Sequence, residues 1–575
     1  MGLFQRTGDV RSSSTSIPVL SIALAGVVLI LIPLLAAGWI SFTLGIPGQG
    51  EYSLANYKRV LLDPFGHRVI LNTLLFALGS TALALATGAP LAWLVARTDL
   101  PFRHAISLLL GMILIIPGFL QAMGWAFLLS PNIGIVNRFL MQAFGLEEAP
   151  LNIYTLGGMT FSEGLSLVPP AFFILLPVFM GIDASLEEAA YISGASKART
   201  FFRINLPLAL PSLVAAGIYL FVLAFAVFEV PVVLGLPDRI FVFSTMLYIF
   251  VYFQEGAVPE YGLAAAYGSV VMIASLLMAA YYSSLIKQGR KYATITGKGL
   301  RARILQLGKW RPLACALVSL YFALALGMPL LVLLYYSLIP YFQLPSVELL
   351  SSLTLQNYIN VYTRQGARPL INTAILISVV PVLVVVIATA ISWIVVRSRL
   401  RGRFVIDDIA FLPLAVPRIV LAVSLLYLAL LARHFLPIYG TIFLIALVHI
   451  IAFMSFATRA LNGAILQIHT DLEDAGRTSG ASIVRVLRRV TAPLLRPALF
   501  AAWFWVMLLS FREVTMAVML SSVDSVVLPV QIWNLWNRAL HHEAAAAAVI
   551  LALIALILML SMRRLIQRLS TPGSF

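Results

Sequence analysis

The sequence predicts an all-α polytopic membrane protein, and three observations carry that expectation. Of 575 residues, 61% are hydrophobic and only 11% charged, with a mean hydropathy of +0.97, more apolar surface than a water-soluble fold of this length hides in a core. About a dozen apolar runs reach the roughly 20 residues that a helix needs to cross about 30 Å of hydrocarbon. Charged or Pro/Gly-rich stretches separate these runs. A soluble enzyme is excluded.

The expected spans lie near 17–43, 70–96, 105–130, 156–181, 209–236 and 262–286, then near 312–340, 370–396, 404–432, 438–460, 497–522 and 544–562, about 12 in all. Gly157, Gly158, Glu163, Gly164, Pro169 and Pro170 weaken the fourth, so ten or eleven spans is the alternative. Arg6 and Arg11 precede a first apolar run longer than the core of a signal peptide, and it reads as a retained span.

The net charge is +16 and the pI about 10.0. With the N-terminus in the cytoplasm, inner segments hold 27 of the 39 Lys and Arg, including Arg97, Arg103, Arg397 to Arg403 and Arg477 to Arg496. Outer loops hold few, among them Lys58, Arg59, Arg364 and Arg368. The positive-inside rule then puts both termini in the cytoplasm. The basic pI is therefore a topology signal and does not point to nucleic acid. Lys287 to Arg311 carries eight basic residues and no acid, as expected of a cytoplasmic linker against anionic headgroups. The lone Cys315 excludes an intramolecular disulfide and a cysteine metal cluster.

The chain repeats itself. At an offset of 300, Asn72-Thr73 matches Asn372-Thr373, Trp93 matches Trp393, Arg97 matches Arg397 and Pro117 matches Pro417; Asn56-Tyr57 and Asn357-Tyr358 agree at 301. Further along the offset falls to 286, aligning Gly194-Ala195-Ser196 with Gly480-Ala481-Ser482 and Pro207 with Pro493, which implies about 14 extra residues around 131–155. Six spans per copy keep the two copies in the same orientation. The expected organisation is a first half, 1–286, a basic linker, 287–311, and a second half, 312–575.

The loop expected at 182–208 reads Leu186-Glu187-Glu188-Ala189-Ala190, then Gly194, then Ile204-Asn205-Leu206-Pro207. Acidic residues suit the N-terminal dipole of a short helix, and Gly194 permits a sharp turn or a close backbone approach. The second half repeats the pattern at 465–494 in looser form, with Glu473-Asp474-Ala475-Gly476, Gly480 and Val490-Thr491-Ala492-Pro493. This Glu-Ala-Ala…Gly…Ile-x-Leu-Pro pattern resembles that of ATP-binding-cassette (ABC) importer permeases, in their fused, binding-protein-dependent branch. The resemblance implies the type I importer permease fold. It also implies that each loop docks a separate ATPase, so two ATPase copies are expected, with Glu188 and Asp474 as acidic contacts to the partner. An ordinary amphipathic loop is the plain alternative.

No G-x-x-x-x-G-K-[ST] is present, and the nearest sequence, Thr296-Gly297-Lys298-Gly299, lacks the upstream Gly and the final hydroxyl. ATP and Mg are therefore expected on the partner, with no cofactor in this chain. The contiguous His541-His542-Glu543 lacks the i, i+4 spacing of a helical zinc site, so no metal is expected there.

Ionisable groups inside spans are site candidates. Glu229 and Glu513 stand at nearly corresponding places in the fifth and eleventh spans, which line the pathway in the resembled family. A carboxylate pair would suit a cation; alternatively Arg512 neutralises Glu513 and Glu229 caps a helix broken by Pro231. Arg418, Glu163, Gln121 and His449 are further candidates. The aromatic run Phe241 to Phe253 reads as an interfacial belt or an outer gate wall.

Phe228-Glu229-Val230-Pro231 and Ser510-Phe511-Arg512-Glu513-Val514 look most like fused ferric-iron permeases, with thiamine, phosphonate and polyamine systems as relatives. The resemblance implies an external substrate-binding protein and an inner-membrane location. Two other classes compete: a gradient-driven secondary transporter and a membrane-embedded enzyme. Arg97-Thr98-Asp99-Leu100-Pro101-Phe102-Arg103 lacks the motif of the major facilitator family, and no nucleophile, base and orienter stand at motif spacing.

Overall fold

Proline splits some apolar runs into bent pairs of helices, as at Pro117 and Pro417, and is absorbed inside single helices at Pro33, Pro90 and Pro381. A computed structural model describes residues 17–45, 47–48, 50–252, 259–289, 304–346 and 351–570. Among these, eight helices are long and apolar enough to cross a bilayer, or up to 12 when each bent pair counts as one span. The protein is an all-α polytopic membrane protein built on a six-span repeat.

The first copy begins with α1 (Ile17–Ile40), a two-residue hairpin of β1 (Thr43–Leu44) and β2 (Glu51–Tyr52), a short α2 (Ala55–Leu62) and the long α3 (Pro64–Arg97). Next come α4 (Arg103–Ile115) and α5 (Gly118–Leu129), bent by 92°. Pro117 lacks an N–H and pushes Ile116 into extended backbone, φ −71° and ψ 126°. The span expected at 105–130 is therefore broken rather than straight. After α6 (Ile135–Phe144), α7 (Leu156–Ser166) and α8 (Val168–Met180) bend by 43° just ahead of Pro169 and Pro170. Then follow α9 (Ala184–Ile192), α10 (Lys197–Thr200), a π-turn (Phe201–Asn205) and α11 (Leu206–Ala226). The expected fifth span, 209–236, stops early. In an unbroken helix Pro231 would leave the Val227 carbonyl without its donor and clash with it, so the chain breaks at Val227-Phe228 and resumes as α12 (Glu229–Leu234). The copy closes with α13 (Phe243–Tyr252) and α14 (Tyr261–Gly289).

The second copy runs α15 (Arg311–Phe322), a π-turn (Ala323–Gly327), α16 (Met328–Leu338), α17 (Gln356–Gln365), α18 (Arg368–Arg397), α19 (Arg403–Ala415) and α20 (Arg418–Leu431), with a break at Val416-Pro417. It continues through α21 (Ile442–Leu466), α22 (Thr470–Thr478), α23 (Ile483–Val486), a π-turn (Leu487–Thr491), α24 (Ala492–Leu494) and α25 (Arg496–Arg512). It ends with α26 (Thr515–Leu520), α27 (Leu528–Asn537) and α28 (His541–Ser570). Of the linker 287–311, residues 290–303 lie outside the described residues.

The polar matches of the repeat turn out to be backbone fasteners. Asn56 Nδ2 donates to the carbonyls of Ser41 and Thr43, at 3.0 and 2.9 Å, and Asn357 Nδ2 to those of Ser337 and Ile339, at 3.0 and 2.9 Å. Tyr57 and Tyr358 each share a 2.8 Å hydroxyl bond with the same serines, Ser41 and Ser337. Thr73 Oγ1 accepts from Phe243 N, and Thr373 Oγ1 from Leu528 N, both at 2.9 Å. Both π-turns 201–205 and 487–491 fall at an offset of 286. A buried amide or hydroxyl must be satisfied, and the same local solution recurs at the same repeat position.

The described chain packs as two compact units. The smaller draws on residues 17–35, Leu376–Leu414 and Ala446–Ser510. In it Gly26 lets α1 approach α18, since a Cβ there would strike Ile387, and Ser392 Oγ donates to Thr458 O at 3.2 Å. The larger draws on Ala36–Ile375, Ala415–Ile445 and 511–570. There α3 packs on α7 and α8, with Gly88 admitting α8 where a Cβ would lie 2.7 Å from Ala171 Cβ. The aromatic run from Phe241 forms α13 and is mostly buried. Tyr252 Oη donates to Met519 O at 2.6 Å, and Trp533 Nε1 to Tyr248 Oη at 3.4 Å. That burial does not fit an interfacial belt, the first of the two readings of the run, and is compatible with the second, a gate wall; Phe253 lies outside the described residues.

Between α5 and α7, where the extra residues of the first copy fall, α6 is pinned by the buried Asn137. Its Nδ2 donates to the carbonyls of Leu129, Ser130 and Leu151, and its Oδ1 accepts from Leu151 N at 3.0 Å. Replacing Asn137 with Ala should lower unfolding stability in detergent by about 2 kcal/mol, because buried backbone groups lose their partners. A thermal melt unchanged from wild type would show that α6 does not depend on this amide.

Candidate functional site

The first motif loop is built around a charge that cannot reach water. Arg97 ends α3 with its side chain fully buried, and Nη2 meets Glu187 Oε1 of α9 at 2.6 Å, also fully buried. Arg97 Nη1 donates to Ile182 O at 3.0 Å, and Asn205 Nδ2 of the π-turn donates to the same Glu187 Oε1 at 2.9 Å. One guanidinium thus ties the end of a membrane helix to both flanks of the loop. The second loop repeats this with substitutions. Arg397 Nε lies 3.4 Å from Glu473 Oε1 of α22, Arg397 Nη2 donates to Ile465 O and Ile468 O at 2.8 and 2.6 Å, and Thr491 Oγ1 stands where Asn205 does, 3.1 Å from Glu473 Oε1.

This arrangement divides the acidic residues of the motif by role. Glu187 and Glu473 stand in the first turns of α9 and α22, as the dipole reading expects, and also face inward as anchors. Glu188 and Asp474 are exposed, as are Ala189, Ala475 and Pro207, while Ala190, Leu206 and Pro493 are half-buried. Leu186 and Ile192 beside the first helix, and Leu472 and Val484 beside the second, are exposed apolar side chains. Gly194 and Gly480 hold φ of +79° and +81° with open space where a Cβ would point. Each ends its helix in a left-handed turn, in which Ala195 N donates to Ala190 O at 2.9 Å and Ala481 N to Gly476 O at 3.2 Å. Backbone conformation, rather than close approach, is what calls for glycine at both positions.

A second cluster gathers where helices break inside the larger unit. Arg418 Nη1, one residue past Pro417, meets Glu513 Oε2 at 2.5 Å, while Glu513 Oε1 accepts from Met516 N at 2.9 Å. Glu229 Oε2 accepts from Phe119 N at 3.2 Å, capping α5 just after Pro117. Arg512 Nη1 donates to Leu114 O, the carbonyl that the end of α4 leaves open. Arg512 also lies in the field of Glu229, Glu513 and Glu163. Arg418 is therefore the direct partner of Glu513 and Arg512 acts on it through its field alone, while Glu229 caps α5 rather than the helix that Pro231 breaks. The two glutamates are not equivalent either. The breaks Val227-Phe228 and Glu513-Val514 correspond at an offset of 286, with φ/ψ of −111°/−34° at Phe228 and −112°/−35° at Val514. Glu513 thus matches Val227, and Glu229 matches Thr515.

The remaining candidates separate. Gln121 accepts from Ser166 Oγ, and His449 Nδ1 shares a 2.8 Å bond with Ser510 Oγ in the smaller unit. His542 Nδ1 bonds Tyr336 O at 3.1 Å and Glu543 pairs with Arg364, so that trio diverges. Among the described residues no three His, Cys, Asp or Glu side chains stand together as a metal site.

Residues 88–291 match the family described as binding-protein-dependent transport system inner membrane component. An inner membrane ABC transporter permease protein of Escherichia coli is 32% identical over 248 residues, 41% of this chain and 76% of that relative. The chain belongs to the ABC transporter permeases. Over 484 residues this permease is 28% identical to a ferric transport system permease protein of Actinobacillus pleuropneumoniae, covering 83% of this chain and 68% of the relative. A spermidine/putrescine transport system permease protein of Escherichia coli is 34% identical over 192 residues, 32% of this chain and 66% of the relative.

The residues that reading by motif missed are Arg97, Arg397, Asn205 and Thr491. Both arginines recur at the repeat offset, yet their place at a span end made them topology charges. The signal lay in the joint recurrence of Arg97 with Arg397 and of Glu187 with Glu473. Replacing Arg97 with Ala should destabilise the permease by about 3–5 kcal/mol, since it strands a buried carboxylate, whereas Arg97→Met with Glu187→Leu should recover most of that loss. Monodisperse yield in detergent measures it, and an equal yield for the single and double variants would reject the anchor.

Proposed function

We propose that this permease is the transmembrane subunit of an ATP-driven ferric-iron importer. An external binding protein supplies the cargo, and two copies of a separate ATPase, which hold the ATP and Mg, seat on α9 and α22. The observation that carries the reading is the doubled motif helix, exposed on one side and anchored to a membrane helix on the other. Similarity to the ferric permease along 83% of the chain supports the cargo. In this reading the permease has no cofactor of its own, sits in the bacterial cytoplasmic membrane with both termini in the cytoplasm, and joins halves 1–286 and 312–575 through the basic linker.

The anchors give the coupling a physical form. Exposed Glu188 and Asp474, with the apolar residues beside them, meet the ATPases. When the ATPases close, force on α9 passes through Glu187 to Arg97 and the end of α3, and force on α22 passes through Glu473 to Arg397 and α18. Long helices transmit such displacement because packed elements switch between discrete arrangements rather than deform. Glu229, Glu513, Arg512 and Arg418 then belong to the pathway, where partly unwound helices expose polar groups to the cargo.

Reconstitution with ATPase, binding protein and ATP in the lumen tests the proposal by uptake of labelled ferric iron. ATP-dependent uptake unaffected by unlabelled thiamine, aminoethylphosphonate or putrescine upholds it. Failure of iron, with uptake of one competitor, keeps the machine and changes the cargo; gradient-driven uptake without ATPase rejects the class. Gly194→Val strains a left-handed turn by about 1 kcal/mol or more and should uncouple hydrolysis from uptake, whereas Gly480→Val in the looser second loop should cost less. Equal losses would remove that asymmetry. Converting both Glu229 and Glu513 to Gln should cut uptake about tenfold or more while the ATPase still copurifies, as expected when intramembrane charges serve transport; unchanged uptake would make them structural.

A further inference from the structure

We infer that the end of the linker is a strut that aims the first coupling helix, with Asp99 and Leu305 as its positioning residues. The inference rests on the proposed role of α9 in coupling. Leu305 forms a parallel backbone bridge with Thr98, immediately after α3. Leu305 N donates to Arg97 O at 2.8 Å, Asp99 N donates to Leu305 O at 3.1 Å, and Asp99 Oδ1 accepts from Leu307 N at 2.8 Å. Arg97, Thr98 and Leu305 are all buried. The residue whose carbonyl holds the linker is the one whose guanidinium holds Glu187. Backbone and side chain of Arg97 therefore join α3, the linker and α9 at one point.

Among the described residues the second copy makes the same turn without a strut. There Arg403 Nη1 donates to Ser398 O at 2.6 Å, and Gly402 takes φ +92° in the turn that leads into α19. At the equivalent place in the first copy Phe102 takes φ +58°, a conformation disfavoured for a side-chain-bearing residue. A strained turn persists only where its surroundings over-determine it, and the linker strand bonds the residues, Arg97 to Asp99, that lead into this turn. Asp99, which accepts the Leu307 N–H, is replaced in the second copy by Arg399, which cannot accept one. Among the described residues the strut thus belongs to the first loop, and it explains why the chain segment that joins the copies ends beside a coupling helix.

Limited trypsin digestion of the purified permease, without any ATPase, tests the strut directly. Cleavage at the exposed Arg199 and Arg203 should rise about tenfold in Asp99→Ala, which loses a charge-assisted hydrogen bond, and in Leu305→Pro, which loses the N–H given to Arg97. Asp99→Asn keeps an acceptor and should stay near wild type. Cleavage at Arg485 and Arg488 in the second loop should not change. In the reconstituted importer, uptake per ATP hydrolysed should fall in Asp99→Ala and recover in Asp99→Asn. Unchanged first-loop cleavage, an equal rise in both loops, or an Asp99→Asn variant as impaired as Asp99→Ala would overturn the strut. If the wild-type permease binds no ATPase, the coupling reading fails, and the digestion still decides whether the linker holds the loop.

Discussion

A guanidinium held wholly out of water has to be neutralised and hydrogen-bonded where it stands, and the motif side of this permease is arranged around that requirement at Arg97. Its partners come from three directions: Glu187 on α9, the carbonyl of Ile182 ahead of α9, and, through Glu187, Asn205 in the π-turn. Removing any one leaves a buried polar group unpaired, so the loop and α3 behave as one body. Arg397 faces the same requirement less severely. Its side chain and that of Glu473 keep about a tenth of their surface, and their contact is longer, 3.4 Å against 2.6 Å. Water can share the load there, which fits a second loop whose motif has drifted further from the family pattern.

The interior of the membrane imposes the matching constraint on the backbone. Every N–H and C=O freed by a helix break must find a partner inside the protein, and the ionisable side chains near the breaks supply several. Glu229 takes the Phe119 N–H at the start of α5, Glu513 takes the Met516 N–H in α26, and Arg512 takes the carbonyl that α4 leaves open at Leu114. The cost of charges in a span and the cost of broken helices are each lowered by the other. A straight helix at Pro117 would leave Glu229 without its cap, and an uncharged Arg512 position would leave Leu114 exposed.

What could be read from the sequence follows from the same physics. Span positions were legible because hydrocarbon thickness dictates run length, and all twelve expected runs correspond to helices or bent pairs. The bends were not, because hydropathy is blind to the i to i−4 ladder, although Pro117 and Pro417 stood out as repeat matches. Asn56-Tyr57 and Asn72-Thr73 were legible as repeats, while their work on the carbonyls of Ser41 and Thr43 and the N–H of Phe243 depends on contacts from other segments. The anchoring role of Arg97 was hidden for a related reason: a basic residue at a span end satisfies the positive-inside rule whether or not it is buried. The two-residue register difference between Glu229 and Glu513 was hidden because both precede a valine, with a phenylalanine one position before Glu229 and two before Glu513, and the backbone of the two breaks separates them.

That register difference shows what fusing two copies permits. At matched positions the first copy has Gly118, Ala226 and Val227 where the second has Arg418, Arg512 and Glu513, and Thr515 replaces Glu229. If both copies carried the second set, four guanidiniums and two carboxylates would share the cluster, leaving an excess of buried positive charge. If both carried the first, two glutamates would stand there without a cation. Either arrangement is expensive at low dielectric. Dividing the charges lets Arg512 of one copy satisfy the broken helix of the other beside Glu229, whereas two identical subunits would bring a second arginine with it. The asymmetry is therefore a consequence of neutralising charges contributed by both copies within one packed unit, and it is available to a fused chain because each copy can change without its twin.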